Sequence, residues 1–143
     1  HCFQNELESL EHAPKIIPGI FSCSSNKIKT LEHAPVDIGG NFDCRDNKLT
    51  SLKDIHKHIK RIGGAAFFNG NPIKSHVLGL MKINDLSSVE LSVSGPGAVG
   101  GLSYNENAKR AANIINKHLS GDRNLLACQE DLIDAGLEKF AQL

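Results

Sequence analysis

The chain has 143 residues, 16 basic and 16 acidic side chains, and a formal charge of zero. That length accommodates one domain, or one repeat array with a cap, and the charge balance gives no long-range field to draw in nucleic acid or an acidic membrane surface. No apolar run approaches the roughly 20 residues that a membrane-spanning helix needs, and no basic-then-apolar leader is present, so a soluble protein is expected.

Self-similarity dominates the first half. Cys2, Cys23 and Cys44 recur every 21 residues, as do Asn5, Asn26 and Asn47, and Leu10, Leu31 and Leu52; the string LEHAP occurs at Leu10 to Pro14 and again at Leu31 to Pro35. A unit this short cannot bury an apolar face alone, so the period predicts small supersecondary units stacked on copies of themselves. His1 stands where Met would begin a chain, and Cys2 and Asn5 already occupy the middle of a unit. A further N-terminal stretch in the natural protein is therefore expected.

Within each unit, Phe21 and Cys23, then Phe42 and Cys44, alternate with polar residues, which is the period of a strand with one face inward. Asn follows each Cys by three residues, and Ile28 or Leu49 follows the Asn by two. The next Asn, Asn71, lies 24 residues after Asn47, so three residues enter between Leu52 and Ile62. There Ile55, Ile59 and Ile62 have the spacing of a helical face. Ala66 and Phe68 then take the inward places, with Asn71 and Ile73 behind them.

A degenerate unit follows, in which Val77, Leu78 and Met81 suit a helix. Residues 87–93 alternate, which predicts a fourth strand through Val89 and Leu91 and extends the sheet to Val93. Gly95-Pro96-Gly97-Ala98-Val99-Gly100-Gly101 reads as a linker; it lacks the Gly-Lys-Ser/Thr of a phosphate loop. Ser103 and Glu106 have capping-box spacing, and Ala108, Ala111, Ala112, Ile115 and Leu119 form an apolar stripe ending before Gly121. Asp122 is placed to cap a second helix carrying Leu125, Cys128 and Leu132 up to Gly136, and Leu137, Phe140 and Leu143 supply a last apolar turn. The division expected is an array over 1–94, followed by a Gly-rich loop and C-terminal helical cap over 95–143.

The repeat resembles the leucine-rich repeat, L-x-L-x-x-N-x-L, with Phe and Cys in two leucine places. That resemblance implies an α/β solenoid with a short parallel sheet and a ladder of asparagines, Asn5, Asn26, Asn47 and Asn71, that satisfy backbone groups where the chain leaves the strand. Loss of one such side chain would cost about 1–3 kcal/mol. The LEHAP copies, the stretch Gly39 to Cys44 and the stretch Ala127 to Glu138 together resemble small leucine-rich-repeat proteins of T4-like tailed bacteriophages. This implies a viral protein in the cytoplasm of an infected host cell or associated with the virion, and it transfers no catalytic residue.

Stacked Cys2, Cys23 and Cys44 invite a metal or disulfide, but no CxxC or paired His completes a zinc site, and reduced, buried thiols are expected. His56, Lys57, His58, Lys60 and Arg61 form a basic cluster without interleaved aromatics, which reads as a solvated face. His12 and His33 share one repeat position and read as edge residues. Cys128, next to Gln129-Glu130-Asp131, invites comparison with cysteine ubiquitin ligases of bacterial leucine-rich-repeat effectors; too little chain surrounds it to make that domain. No cofactor, no metal and no membrane partner are expected, and nucleic acid is not favoured.

Alternation leaves Ser22, Ser24, Asn41, Asp43, Arg45, Ala65, Phe67, Asn69, Ser88, Glu90 and Ser92 facing outward on the concave side. Phe67 beside Asp43 and Arg45 has the character of a partner anchor, or else packs against the 95–101 loop. The function expected is a non-enzymatic protein-protein interaction module. The alternatives are a virion structural component, or a targeting segment of a larger effector or enzyme whose catalytic part lies upstream.

Overall fold

The computed structural model of the chain describes residue 2, residues 4–91 and residues 102–143, with side chains in the last segment from residue 106 onward. The proposed strand end at Val93, the outward Ser92 and the glycine-rich loop at 95–101 lie outside the described residues, and so does the side chain of Ser103 in the capping pair. In chain order the elements are β1 (Ile16–Ile17), β2 (Phe21–Ser22), β3 (Asp37–Ile38), β4 (Phe42–Asp43), α1 (Ile55–His58), β5 (Arg61–Ile62), β6 (Ala65–Phe67), a 3-10 helix (Leu78–Lys82), β7 (Ser88–Glu90), α2 (Leu102–Leu119) and α3 (Leu125–Asp134). The chain is α/β: the described residues form two small parallel sheets of order β1-β3-β5 and β2-β4-β6-β7, and three α-helices, one of them C-terminal.

The register follows the sequence period. Phe21 pairs with Phe42 and Phe42 with Ala66, so each inward residue lies above its equivalent in the next unit. Phe21 and Phe42 stack at 5.9 Å between ring centroids, and Phe68 meets Phe42 edge-on at 5.7 Å. Cys23, Cys44, Ile28, Leu49 and Ile73 are buried in the same core. Parallel strands this short hold few hydrogen bonds of their own, so side chains complete the pairing. Asn26 Oδ1 accepts from the Asn5 and Leu7 N–H groups, Asn47 Oδ1 from Ile28 N–H, and Asn71 Oδ1 from Leu49 N–H. Their Nδ2 groups donate back to the carbonyls of the cysteine rung, Asn47 to Cys23 and Cys44 and Asn71 to Cys44. Asn5 differs from the expected ladder: its side chain is exposed, and only its backbone joins the array.

Before each of these asparagines the chain passes through a left-handed residue, Ser25 at φ 56°, Asp46 at φ 56° and Gly70 at φ 78°. His12 and His33 are left-handed too, at φ 75° and 70°, and both are exposed. Their recurrence at one repeat position therefore marks a turn, which Ala34 N–H closes by donating to Leu31 O at 3.0 Å.

The sheet of β1, β3 and β5 was not expected. It also changes the reading of the inserted segment. Helix α1 ends at His58, Ile59 is already extended, and Ile62 enters β5 opposite Ile38, so Ile55, Ile59 and Ile62 do not share a helical face. Gly39 and Gly63 follow β3 and β5, and a Cβ on Gly63 would collide with the Gly39 carbonyl oxygen. Gly63→Ala is expected to destabilise by about 2 kcal/mol, because the obstructing atom is backbone and the turns cannot separate without breaking the sheet; a fall in the urea midpoint at unchanged slope measures it.

Helix α2 packs on β7. Asn116 Oδ1 accepts from Val89 N–H at 2.8 Å and its Nδ2 donates to Val89 O at 3.0 Å, meeting the backbone of the last described strand as a further strand would. Arg123 donates to Leu86 O and Ile83 O, both at 2.8 Å. That contact holds Arg123 at φ 59°, outside the helix, and α3 starts later than expected: Asn124, not Asp122, caps it, accepting from Ala127 N–H. The C-terminal segment closes against the array through His76, Val77 and Leu78 N–H groups donating to the carbonyls of Lys139, Phe140 and Gln142.

Candidate functional site

The outward face of the β2-β4-β6-β7 sheet carries its side chains in rows. Strand register aligns Ser22 with Asp43, Asp43 with Phe67, and Phe67 with Glu90; a flanking row joins Ala65 to Ser88. Beyond the strand ends, backbone bonds from Ser25 to Arg45 and from Asp46 to Asn69 continue the alignment.

At the centre, Arg45 forms a bidentate pair with Asp43, Nε to Oδ1 at 2.9 Å and Nη2 to Oδ2 at 2.8 Å. The same guanidinium lies 5.8 Å from the Phe67 ring centroid. The hydrogen bond to the Asp43 carboxylate raises the Arg45 pKa above its ordinary value, so the guanidinium keeps its charge. Planar ring and planar guanidinium thus form a half-exposed platform with fixed orientation, and a surface so arranged loses little side-chain entropy when a partner covers it. Glu90 is exposed at its edge, and Asn69 Oδ1 is buried and accepts no hydrogen bond among the described residues.

Two of the expected outward residues behave differently. Ser22 is buried: its strand pairs with β4, Cys2 N–H donates to the Ser22 carbonyl on the other side, and its short side chain turns to Ser24, Oγ to Oγ at 3.4 Å. Asn41 is half-buried and spends its Oδ1 on Ala65 N–H at 2.9 Å, joining two turns. Ser24, Ala65, Phe67, Asn69 and Ser88 are half-buried, and Arg45 and Glu90 are exposed.

The other candidate residues are dispersed. His56 is half-buried, its Nδ1 lies against Gly79 with no hydrogen-bond partner among the described residues, and burial lowers its pKa. Lys57 pairs with Asp54 at 3.5 Å, Lys60 donates to His56 O, and Arg61 bridges Asp37 at 2.9 Å and Asp85 at 2.7 Å. Arg61 is thereby neutralised by residues 24 positions away on either side, which no local reading of its charge reveals, and Lys57 by its near neighbour Asp54.

All four cysteines are free. The neighbouring Cys44 thiol, then burial, push Cys23 well above the ordinary thiol range; burial raises Cys2, and burial together with Asp131 pushes Cys128 up to about 11. At Cys2, Cys23 and Cys128 these upward shifts disfavour the thiolate, the form that acts as nucleophile. Among the described residues no three His, Cys, Asp or Glu side chains gather as a metal site, and no helix is long and apolar enough to cross a membrane.

Near Cys128, buried His118 meets Asp131 through Nε2 to Oδ2 at 2.6 Å, and this bond, then that from Lys117, holds the Asp131 carboxyl below the ordinary carboxylate range. A depressed folded pKa stabilises above the unfolded pKa of about 4 and is lost as pH falls through the folded value. Asp131→Asn is therefore expected to be less stable than the wild type at neutral pH, and the two urea midpoints should converge on acidification below about pH 4.

No family model matches the chain, and neither the curated proteins nor the solved structures contain a match.

Proposed function

We propose that the chain is a leucine-rich-repeat solenoid closed by a C-terminal helical cap, and that it acts as a non-enzymatic binding module holding a protein partner against the concave sheet face. The solenoid reading rests on the parallel pairing of equivalent residues in successive units and on the Asn26, Asn47 and Asn71 side chains that link them. One observation carries the functional reading: the Asp43–Arg45–Phe67 platform, a rigid pairing of charge and aromatic surface at the middle of the sheet. Aromatic and arginine side chains in this setting supply a large share of binding energy at protein interfaces. The raised pKa values of Cys2, Cys23 and Cys128 and the ion pairs of Lys57 and Arg61 favour binding over catalysis or nucleic-acid recognition. In keeping with its sequence resemblance to T4-like phage proteins, the partner is a host or virion protein and the site of action is the infected cell or the particle.

Affinity capture from infected cells, followed by a binding assay with the purified captured protein, tests this. Phe67→Ala with Asp43→Ala is expected to weaken binding by about 30-fold or more, the effect of losing roughly 2 kcal/mol of anchor contacts. Unchanged affinity in a folded double variant removes this face from consideration.

A further inference from the structure

A second surface lies where the chain descends from the strands, apart from the sheet face. Backbone bonds from Lys27 N–H to Leu7 O, Lys48 N–H to Ile28 O and Lys74 N–H to Thr50 O stack this segment in successive units. Side chains recurring with the repeat therefore line up in two columns, Glu6 above Lys27 and Lys48, and Glu8 above Lys29, Thr50 and Lys74. Glu8, Lys27, Lys29, Lys48 and Thr50 line an open cleft of about 420 Å³.

Charge in this cleft is only partly compensated. Arg45, Arg61, Lys57 and Lys117 each meet a carboxylate, and Lys27 meets Glu6 at 3.7 Å. Among the described residues Lys29, Lys48 and Lys74 form no ion pair, although all three are exposed and stacked on one face. Ammonium groups lining one cleft, as Lys29 and Lys48 do, repel one another, and an anion between them relieves that repulsion.

We propose that this cleft docks an acidic segment of a partner protein, with a basic residue at the end that meets Glu6 and Glu8. The mixed columns select that occupant: a nucleic-acid backbone is negative throughout and would meet the two glutamates unfavourably, and no aromatic side chain lines the cleft to stack on bases. Spacing fits as well, since stacked units lie about 4.8 Å apart and carboxylates one helical turn apart have Cβ atoms about 5–6 Å apart.

The probe is a fluorescein-labelled, alanine-based helical peptide carrying glutamates at i and i+4 and two terminal lysines; fluorescence anisotropy is read beside a labelled single-stranded oligonucleotide of equal length. Saturable peptide binding that weakens with salt is expected, reduced about tenfold or more by Lys29→Glu with Lys48→Glu, reduced less by Lys29→Gln with Lys48→Gln, and unchanged by Lys15→Glu on another part of the surface. Absence of peptide binding, equal binding by the charge-reversed variant with its circular dichroism intact, or tighter binding of the oligonucleotide would each overturn the proposal.

Discussion

Replacing Phe42 by alanine is expected to remove about 4 kcal/mol of stability, the largest effect of any single truncation in the array. Phe42 is fully buried, and its ring is held from both sides, by Phe21 in a stacked contact and by Phe68 in an edge contact. Truncation loses the transfer free energy of the ring, leaves a cavity that the paired backbones of β2, β4 and β6 cannot collapse to fill, and adds roughly 1 kcal/mol for the lost aromatic geometry. Phe42→Leu keeps much of the volume and should cost about 1.5 kcal/mol or less, the usual limit for hydrophobic exchanges that conserve volume. Chemical denaturation of the two variants separates these values; a Phe42→Ala cost no greater than that of Phe42→Leu would mean that the aromatic column does not hold the units together.

Asn47→Leu is expected to cost about 3 kcal/mol although the substitution adds apolar volume. The Asn47 side chain accepts from Ile28 N–H at 3.0 Å and donates to the carbonyls of Cys23, Cys44 and Arg45 at 3.0, 3.2 and 3.1 Å. Leucine satisfies none of these, and the groups lie where water does not reach, so desolvation is uncompensated. For a chain of this size the loss corresponds to a fall in melting temperature of about 10 °C. Asn5→Leu is the control: that side chain is exposed, and a change within about 0.5 kcal/mol is expected.

The residues behind these predictions were legible because each recurs at one repeat position with the same chemistry. Phe21 and Phe42, Cys23 and Cys44, and Asn26, Asn47 and Asn71 could be aligned before any contact was known, and the structure brings them together. Recurrence alone was not enough, since Ile17, Ile38 and Ile62 share one repeat position and their strands were still not legible. Ile16–Ile17, Asp37–Ile38 and Arg61–Ile62 are strands of two residues, too short for alternation to register, so the second sheet is visible only in the pairing of units.

Of the candidate site, sequence alternation placed Asp43, Arg45 and Phe67 on one face, but it could not show that Arg45 spans the other two. It also placed Ser22 outside, because a period-two pattern gives direction and not depth. Asn116 was missed for a different reason. It lies on a helix whose apolar stripe dominates the reading, and its partner, Val89, is 27 residues away. The lysine columns were overlooked because each unit holds only one or two of them, and the charge concentrates only when the units stack.

Amide hydrogen exchange at Leu7, Ile28 and Leu49 tests the stacked-unit account most directly, since each of these N–H groups donates to an asparagine side chain of the following unit. Ile28 and Leu49 should exchange slowly in the wild type, and Asn47→Ala should release Ile28 far more than Leu49, which is bonded to Asn71. Exchange of both amides at the rate of an unstructured chain, or protection of Ile28 that survives loss of the Asn47 side chain, would contradict the account.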